Sequence, residues 1–231
     1  QPVAVVDPAN CTGCDRCHVD CPYAAISMAP HPDRPGHQLA VVDADLCASC
    51  GICAGSCPSS TPFRRRETLI TGIDMPQLPV DTLRQQLEQA LARFAGGTRI
   101  VVFSCARGAD ARGLAAADTA VIDLICTGML PPSFVEYALR GGADGVVVTA
   151  CRDGGCDFRL GERWTSERLL GEREPHLRHS VPPSRLQLLL CSAHDHSALA
   201  TAVAEFRNRI ETLGVANDRL PSYLRRAPNH A

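Results

Sequence analysis

The 231-residue chain contains no lysine, and arginine supplies all 23 of its basic residues. These arginines are scattered along the sequence, and the formal net charge is −2. A nucleic-acid-binding protein normally gathers its positive charge into one patch, so no nucleic acid partner is expected. We attribute the missing lysine to a coding bias.

Other familiar patterns are missing too. No stretch reaches the roughly 20 apolar residues that a membrane-spanning helix needs, and no signal peptide is visible. The chain also has no Gly-x-Gly-x-x-Gly loop, no phosphate loop and no nucleophile elbow, so no familiar motif predicts binding of NAD, FAD or ATP. Numbering begins at Gln1 rather than at methionine. One alternative is therefore that an N-terminal segment, absent from this sequence, attaches the protein to a membrane.

Cysteine, by contrast, is abundant, with 13 residues in the chain. Eight of them form two copies of the motif Cys-x2-Cys-x2-Cys-x3-Cys-Pro, which is the ligand pattern of proteins that carry two 4Fe-4S clusters. The copies comprise Cys11, Cys14, Cys17 and Cys21, then Cys47, Cys50, Cys53 and Cys57. Zinc also uses Cys-x2-Cys pairs, but a zinc site usually closes with two such pairs, not with quartets that end in Cys-Pro.

The second copy follows the first at a constant offset of 36 residues, and an Ala-Val-Val-Asp segment precedes each. This repeat predicts a duplicated unit, an α+β two-cluster ferredoxin domain over residues 1–60. We expect the fourth cysteine of each motif, followed by proline, to start a helix that leads to the other cluster. The first 4Fe-4S cluster would then use Cys11, Cys14, Cys17 and Cys57, and the second Cys47, Cys50, Cys53 and Cys21.

Three further segments complete the predicted organisation. Between the two motifs, the proline-rich stretch Ser27–Gln38 is typical of a turn-rich loop. Residues 61–80 are interpreted as a linker, and their run Arg64-Arg65-Arg66-Glu67 is either a solvated surface or a docking patch for an acidic partner. Residues 81–214 are predicted to form a second domain, followed by a surface tail over residues 215–231.

The second domain alternates helix and strand. Asp81 is expected to cap a helix that Gly96-Gly97 ends, and further helices are predicted from Pro131-Pro132-Ser133 to Gly141-Gly142, from about Phe158 to Gly171, and from about Asp195 to Leu213. Four apolar runs are predicted as strands: Arg99–Cys105, Thr119–Cys126, Asp144–Cys151 and Arg185–Cys191. Continuous apolar strands separated by helices indicate an α/β domain with a parallel sheet covered by helices, of the flavodoxin-like type.

Each of these strands ends in a cysteine, and Cys156 lies five residues beyond Cys151. Ligands of open parallel sheets bind beyond the carboxyl ends of the strands, so these cysteines could meet at one point. Four thiolates suit a 2Fe-2S cluster, and the backbone N–H groups of Gly154 and Gly155 are expected to approach its sulfurs. The alternative is that strand cysteines act as small buried hydrophobes.

Residues from about 99 to 213 resemble the delta-subunit family of methyl-viologen-reducing hydrogenase, the iron-sulfur subunit that connects hydrogenase to heterodisulfide reductase in methanogens. The matching stretches are Phe103-Ser104-Cys105, Cys126-Thr127-Gly128-Met129 with Pro132-Ser133-Phe134, Gly142-Ala143-Asp144-Gly145-Val146, and Cys151 through Cys156. The resemblance implies a 2Fe-2S cluster on Cys105, Cys126, Cys151 and Cys156. The N-terminal part resembles bacterial-type two-cluster ferredoxins.

For the other strand-end cysteine, Cys191, no matching family position is known, and a buried core role is favoured over a ligand role. His194 and His196 follow it, which leaves a Rieske-like Cys2His2 site as an alternative.

The predicted function is an electron-transfer subunit that relays electrons through two 4Fe-4S clusters and one 2Fe-2S cluster in a larger oxidoreductase complex. Expected partners are other redox subunits: a flavoprotein, a hydrogenase or dehydrogenase, or a membrane cytochrome. Cluster ligands must remain thiolates, which favours the cytoplasm. One alternative is a thiol/disulfide enzyme using Cys151 and Cys156, fed by the ferredoxin clusters. Another is a structural adaptor whose clusters only hold the fold together.

Overall fold

The structure, a computed structural model, describes residues 2–64 and 67–214. Its N-terminal part repeats a short helix followed by a Cys-Pro pair: α1 spans Arg16–Asp20 and α2 spans Ile52–Ser56. The two helices keep the 36-residue offset of the sequence repeat. Both begin after a residue with left-handed backbone geometry, Asp15 (φ 67°) in one copy and Gly51 (φ 78°) in the other.

Around these helices lie two small antiparallel sheets. Strand β1 (Val5–Val6) pairs with β4 (Ile73–Asp74), and β2 (Ile26–Pro30) pairs with β3 (Gln38–Val42). The interpretation of Ser27–Gln38 as a loop was therefore wrong at its ends, and only residues 31–37 connect the strands. Pro30 misled the prediction because proline is tolerated at strand ends and edges. Strand β4 lies inside residues 61–80, the segment interpreted as a linker.

The Cys-Pro pairs end helices, which corrects the expectation that they start them. Cys21 follows α1 with φ −71° and ψ 112°, and Cys57 follows α2 with φ −75° and ψ 122°. A proline sterically disfavours helical geometry in the residue before it, so both cysteines are extended. Each helix thus ends with its fourth cysteine turned out of the helical path.

The C-terminal part contains a four-stranded parallel sheet, as predicted. Its strands are β5 (Ile100–Cys105), β6 (Thr119–Leu124), β7 (Gly145–Cys151) and β8 (Leu186–Cys191). Their order is β6-β5-β7-β8, with all three pairings parallel. Strand β6 ends two residues before Cys126, so this cysteine lies in the turn beyond the strand. The carboxyl ends of β5, β6 and β7 are therefore neighbours at one edge of the sheet.

Helices cover both faces of this sheet. They are α3 (Val80–Arg93), α4 (Ser133–Arg140), α5 (Gly161–Leu170) and α6 (His196–Leu213). Side chains of β5 alternate between two apolar clusters: Val101 and Phe103 pack in the cluster that contains residues of α3 and α4, whereas Ile100 and Val102 pack beneath α6. This two-sided burial explains why the central strand β5 is almost continuously apolar in sequence.

Helix α3 begins at Val80, so Asp81 lies in its first turn and does not cap it. The Asp81 carboxylate instead accepts hydrogen bonds from Leu69 N (2.7 Å) and Arg84 Nη2 (2.6 Å). Asp74, seven residues earlier, accepts the hydrogen bond of Val80 N at 3.1 Å. A helix start that is fixed by a residue outside the helix leaves no local capping pattern in the sequence. The prediction that Asp81 caps the helix was therefore wrong.

Within the described ranges, no helix combines the length and apolar character that crossing a bilayer requires. The tail predicted for residues 215–231, together with Arg65 and Arg66 of the arginine run, lies outside the described residues.

Candidate iron-sulfur sites

Cysteines of the two ferredoxin motifs line two separate pockets, and each pocket combines three cysteines of one motif with the fourth of the other. The first is lined by Cys11, Cys14, Cys17 and Cys57. The second is lined by Cys21, Cys47, Cys50 and Cys53. The fold thus brings together the sets that crossed ligation requires, and each set could hold one cluster. We call these groups the first and second cysteine sets.

The thiols of these sets differ in exposure. Cys11, Cys17, Cys50 and Cys53 are buried, whereas Cys14 is exposed. Burial, with a smaller contribution from the neighbouring Cys57, raises the pKa of Cys17 to about 12, and burial raises that of Cys50 to about 11. Without iron, these thiols keep their protons at neutral pH. Cluster assembly must displace the protons, because iron binds the thiolate form.

Beyond the strand ends, Cys105, Cys126, Cys151 and Cys156 form a third cysteine set. The sulfur of Cys105 lies 3.6 Å from that of Cys151, and the sulfur of Cys126 lies 4.0 Å from that of Cys156. Tetrahedral thiolates bound about 2.3 Å from one metal ion lie roughly 3.8 Å apart. Each close pair therefore has the spacing of two ligands on one metal ion.

The four thiols also interact between the pairs. Hydrogen bonds with Cys126 and Cys151 lower the pKa of both Cys105 and Cys156. The same hydrogen bonds raise the pKa of Cys126 and Cys151. The four thiols thus form one coupled group, and iron binding would displace their protons because iron binds the thiolate form.

Backbone N–H groups supply further positive potential to the third set. Those of Arg107 and Thr127 lower the pKa of Cys105, and that of Phe158 lowers the pKa of Cys156. The expected donors, Gly154 and Gly155, are engaged elsewhere: Gly154 N donates to Glu162 Oε1 (3.1 Å), and Gly155 N donates to Arg152 O (2.8 Å). Their hydrogen bonds shape the loop and do not face the sulfurs.

Gly161, the first residue of α5, allows its backbone to approach the third set closely. A Cβ atom at this position would lie 2.1 Å from Cys126 Sγ and 3.0 Å from Cys156 Sγ. No side chain fits in that space. No local sequence pattern signals this contact, because Gly161 is 35 positions beyond Cys126 in the chain.

The remaining candidate residues are Cys191, which is the register partner of Cys151 across β7 and β8, and the two histidines that follow it. Cys191 is buried in the apolar cluster beneath α6, together with Leu199 and Val203. His194 and His196 are exposed. In the described part of the chain, no group of three or more His, Cys, Asp or Glu side chains is arranged to hold a single metal ion.

The second and third sets meet in one apolar cluster. Cys50 of the second set and Cys126 of the third pack there with Ile52 and Trp164, and Tyr23 packs against them. Burial, followed by the nearby Cys50 thiol, raises the pKa of the Tyr23 phenol. The second set and the third set therefore border the same apolar cluster.

Charged residues other than the motif cysteines join the two halves of the chain beside this cluster. Arg168 of α5 is buried and donates to Ser56 Oγ (2.6 Å) and Gly128 O (2.8 Å), and it forms an ion pair with Asp20. Trp164 Nε1 donates to Asp20 O at 3.0 Å. The sequence offered one signal, an aspartate directly before Cys21, but its partner is 148 residues away.

Comparisons with known families match both parts of the chain. A family model described as the delta subunit of methyl-viologen-reducing hydrogenase matches residues 100–214. A model described as a 4Fe-4S dicluster domain matches residues 10–61. Together these matches include all twelve cysteines of the three sets.

Similar curated proteins come from archaea. A subunit of the ferredoxin:CoB-CoM heterodisulfide reductase of Methanosarcina mazei is 32% identical over 100 residues, which are 43% of this chain and 13% of that protein. The corresponding subunit of the ferredoxin/F420H2-dependent enzyme of Methanosarcina acetivorans is 33% identical over 41% of this chain and 12% of its own length. The iron-sulfur subunit of the F420-non-reducing hydrogenase of Archaeoglobus profundus is 30% identical over 41% of this chain and 69% of its own length.

Proposed function

Because the chain belongs to the delta-subunit family of methyl-viologen-reducing hydrogenase, we propose that it is an electron-transfer subunit of a larger oxidoreductase complex. The observation that carries the proposal is that Cys50 of the second set and Cys126 of the third belong to one apolar cluster. Iron-sulfur clusters exchange single electrons. In this proposal, two cluster sites that border the same apolar cluster form consecutive steps of a relay.

In this proposal the first and second sets each bind a 4Fe-4S cluster with crossed ligation, and the third set binds a 2Fe-2S cluster. The two lined pockets support the first assignment. The two close sulfur pairs of the third set support the second, because a 2Fe-2S cluster takes two protein ligands on each iron. Cys105 and Cys151 would then bind one iron, and Cys126 and Cys156 the other.

The partners proposed for this relay are other redox subunits: a flavoprotein, a hydrogenase or a dehydrogenase, or a membrane cytochrome. The names of the relatives, which include a heterodisulfide reductase subunit and a hydrogenase subunit, support this class of partner. The need for reduced thiolates supports a cytoplasmic site of assembly. The chain spans only 13% and 12% of the two heterodisulfide reductase subunits, so we do not propose that it has the activity of those proteins.

We also propose domain boundaries at residues 1–60 and 81–214, with a flavodoxin-like fold for the second domain. When the four strands are numbered by their order in the chain, their spatial order in the sheet is 2-1-3-4. This matches the first four positions of the flavodoxin order, 2-1-3-4-5. The third cysteine set lies at the strand ends, where β5, the first strand, separates β6 from β7. This is the switch point at which such folds bind their ligands.

Iron and acid-labile sulfide counts on the full chain test the proposal. After anaerobic reconstitution, the relay should contain about ten irons per chain, eight in the 4Fe-4S clusters and two in the third site. A reduced sample should show a 2Fe-2S signal in electron paramagnetic resonance (EPR). About eight irons, with Cys151 and Cys156 cycling between thiol and disulfide, would instead favour the thiol/disulfide enzyme.

A further inference from the structure

Arg168 contacts the chain beside one cysteine of each set. Its ion-pair partner Asp20 directly precedes Cys21 of the second set, and its hydrogen-bond partner Ser56 directly precedes Cys57 of the first. The carbonyl oxygen of Gly128, two residues beyond Cys126 of the third set, accepts its remaining hydrogen bond at 2.8 Å. One guanidinium therefore joins all three sets through their neighbouring residues.

The surroundings of Arg168 are packed closely enough to transmit a change in its position. A Cβ atom at Gly55 would lie 2.2 Å from Gly128 O and 2.7 Å from Arg168 Nη1. A Cβ atom at Gly128 would lie 3.0 Å from the Cα atom of Gly161, the residue that touches Cys126 Sγ. The three glycines thus allow the backbones of α2, the turn after Cys126 and α5 to pack closely against one another.

The charges around Asp20 are paired. Its carboxylate accepts from Ser56 Oγ at 2.7 Å and binds Arg173 Nη1 at 2.6 Å in addition to Arg168. The Arg173 guanidinium also lies 3.3 Å above the Trp164 ring, whose indole N–H donates to Asp20 O. Loss of Arg168 alone therefore leaves Asp20 with one cationic partner, which limits the cost of the substitution.

We infer that Arg168 is a positioning residue that fixes the second cysteine set against the third through Asp20, Ser56 and Gly128. This inference rests on the proposed electron relay, because it assigns a role to the contact between consecutive cluster sites. A buried cation and a buried anion beside Cys21 also set the local potential, since a nearby positive charge stabilises an added electron and a negative charge opposes it.

The test uses the full chain, reconstituted with iron and sulfide, in the variants Arg168→Gln, Arg168→Lys and Asp20→Asn. The matched control is Arg163→Gln, which removes a guanidinium from the exposed side of the same helix. Redox titration followed by EPR gives the midpoint potential of the second 4Fe-4S cluster. EPR of the fully reduced protein gives the spin–spin interaction between this cluster and the third one.

Arg168→Gln should lower the midpoint potential of the second cluster and weaken the spin–spin interaction, whereas Asp20→Asn should raise the potential. Arg168→Lys keeps the charge and should hold the potential near that of the parent protein, as should Arg163→Gln. Both Arg168→Gln and Asp20→Asn break the same ion pair, so a purely structural role would shift the potential in one common direction. Opposite shifts of the midpoint potential in the two variants would therefore distinguish the proposed role of Arg168 from a purely structural role.

The inference is overturned if Arg168→Gln and Asp20→Asn shift the potential in the same direction, or if both leave potential and spin interaction unchanged. Should Arg168→Gln fail to load its clusters, the responses of Arg168→Lys and Asp20→Asn decide the question: an unchanged potential in the first and a raised one in the second support the inference. A parent protein that loads only the two 4Fe-4S clusters would contradict the third site of the proposed function. The potential shifts at the second cluster would still test Arg168.

Discussion

The fourth cysteine of each ferredoxin motif lies at the end of a short helix, in extended geometry fixed by the following proline. In that position Cys57 lines the pocket of Cys11, Cys14 and Cys17. Cys21 likewise lines the pocket of the second motif. The fourth cysteine of each motif therefore lines the pocket of the other motif.

Replacing Cys57 with Ala should damage the cluster held by Cys11, Cys14 and Cys17, because that cluster loses its fourth thiolate. Iron content and EPR of the reduced protein measure the loss. Cys21→Ala should produce the reverse pattern, and Cys191→Ala, at a buried position beneath α6, should spare all clusters. Loss of the cluster of Cys47, Cys50 and Cys53 in Cys57→Ala would show that ligation is not crossed.

Gly161 is a second position where one residue controls a site. Gly161→Ala would place a methyl group 2.1 Å from Cys126 Sγ, and overpacking of this kind typically costs about 1–3 kcal/mol. We expect the third site to lose its iron, so that the count falls from about ten to about eight. Both 4Fe-4S signals should persist.

Gly113→Ala is the matched control for Gly161→Ala, because a Cβ atom there would meet nothing within 4 Å. It should leave iron content and thermal unfolding unchanged. A Gly161→Ala protein with a full third cluster would mean that α5 moves freely relative to Cys126, contrary to the packing described above.

At the scale of single elements, α3 depends on a residue outside itself. Asp74 in β4 holds the N–H group of Val80 at the helix start. Replacing Asp74 with Ala should lower the free energy of unfolding by about 1 kcal/mol, as loss of a helix-capping side chain does. Asp74→Asn keeps an acceptor oxygen and should cost less. Chemical denaturation of the reconstituted proteins measures the difference, and equal losses in both variants would contradict this role.

The elements show which information the sequence carries. The four strands of the large sheet were predicted within one or two residues because their sequences are largely apolar runs, and the two central strands, β5 and β7, are buried at every position. The β2–β3 hairpin was missed because prolines dominate its connection, and the start of α3 was assigned to Asp81 because the true contact comes from another element. Local patterns predict elements, whereas contacts between elements leave little local trace.

For the molecule as a whole, the sequence predicted three groups of cysteines but not how these groups are placed relative to one another. The contact between the second and third sets involves Asp20 and Arg168, which are 148 residues apart. Asp20 occupies a variable position of the first ferredoxin motif and Arg168 lies outside every cysteine motif, and a buried ion pair of this kind has no periodicity that a sequence could show. The structure adds an order to the predicted relay, in which the second set stands beside the third.

This order leads to a prediction for the isolated protein. An electron relay stabilises no chemical transition state, so the reconstituted chain should exchange electrons with artificial dyes but reduce no disulfide or nicotinamide on its own. Exposed Cys14 marks the first set as accessible to a dye. Physiological activity should return only when a partner subunit is added.

Stopped-flow measurement of dye oxidation, together with steady-state assays that use disulfide and nicotinamide substrates, tests this prediction. Turnover by the isolated chain at enzyme-like rates of about 1 to 1000 per second would contradict the relay and favour a thiol/disulfide enzyme that uses Cys151 and Cys156.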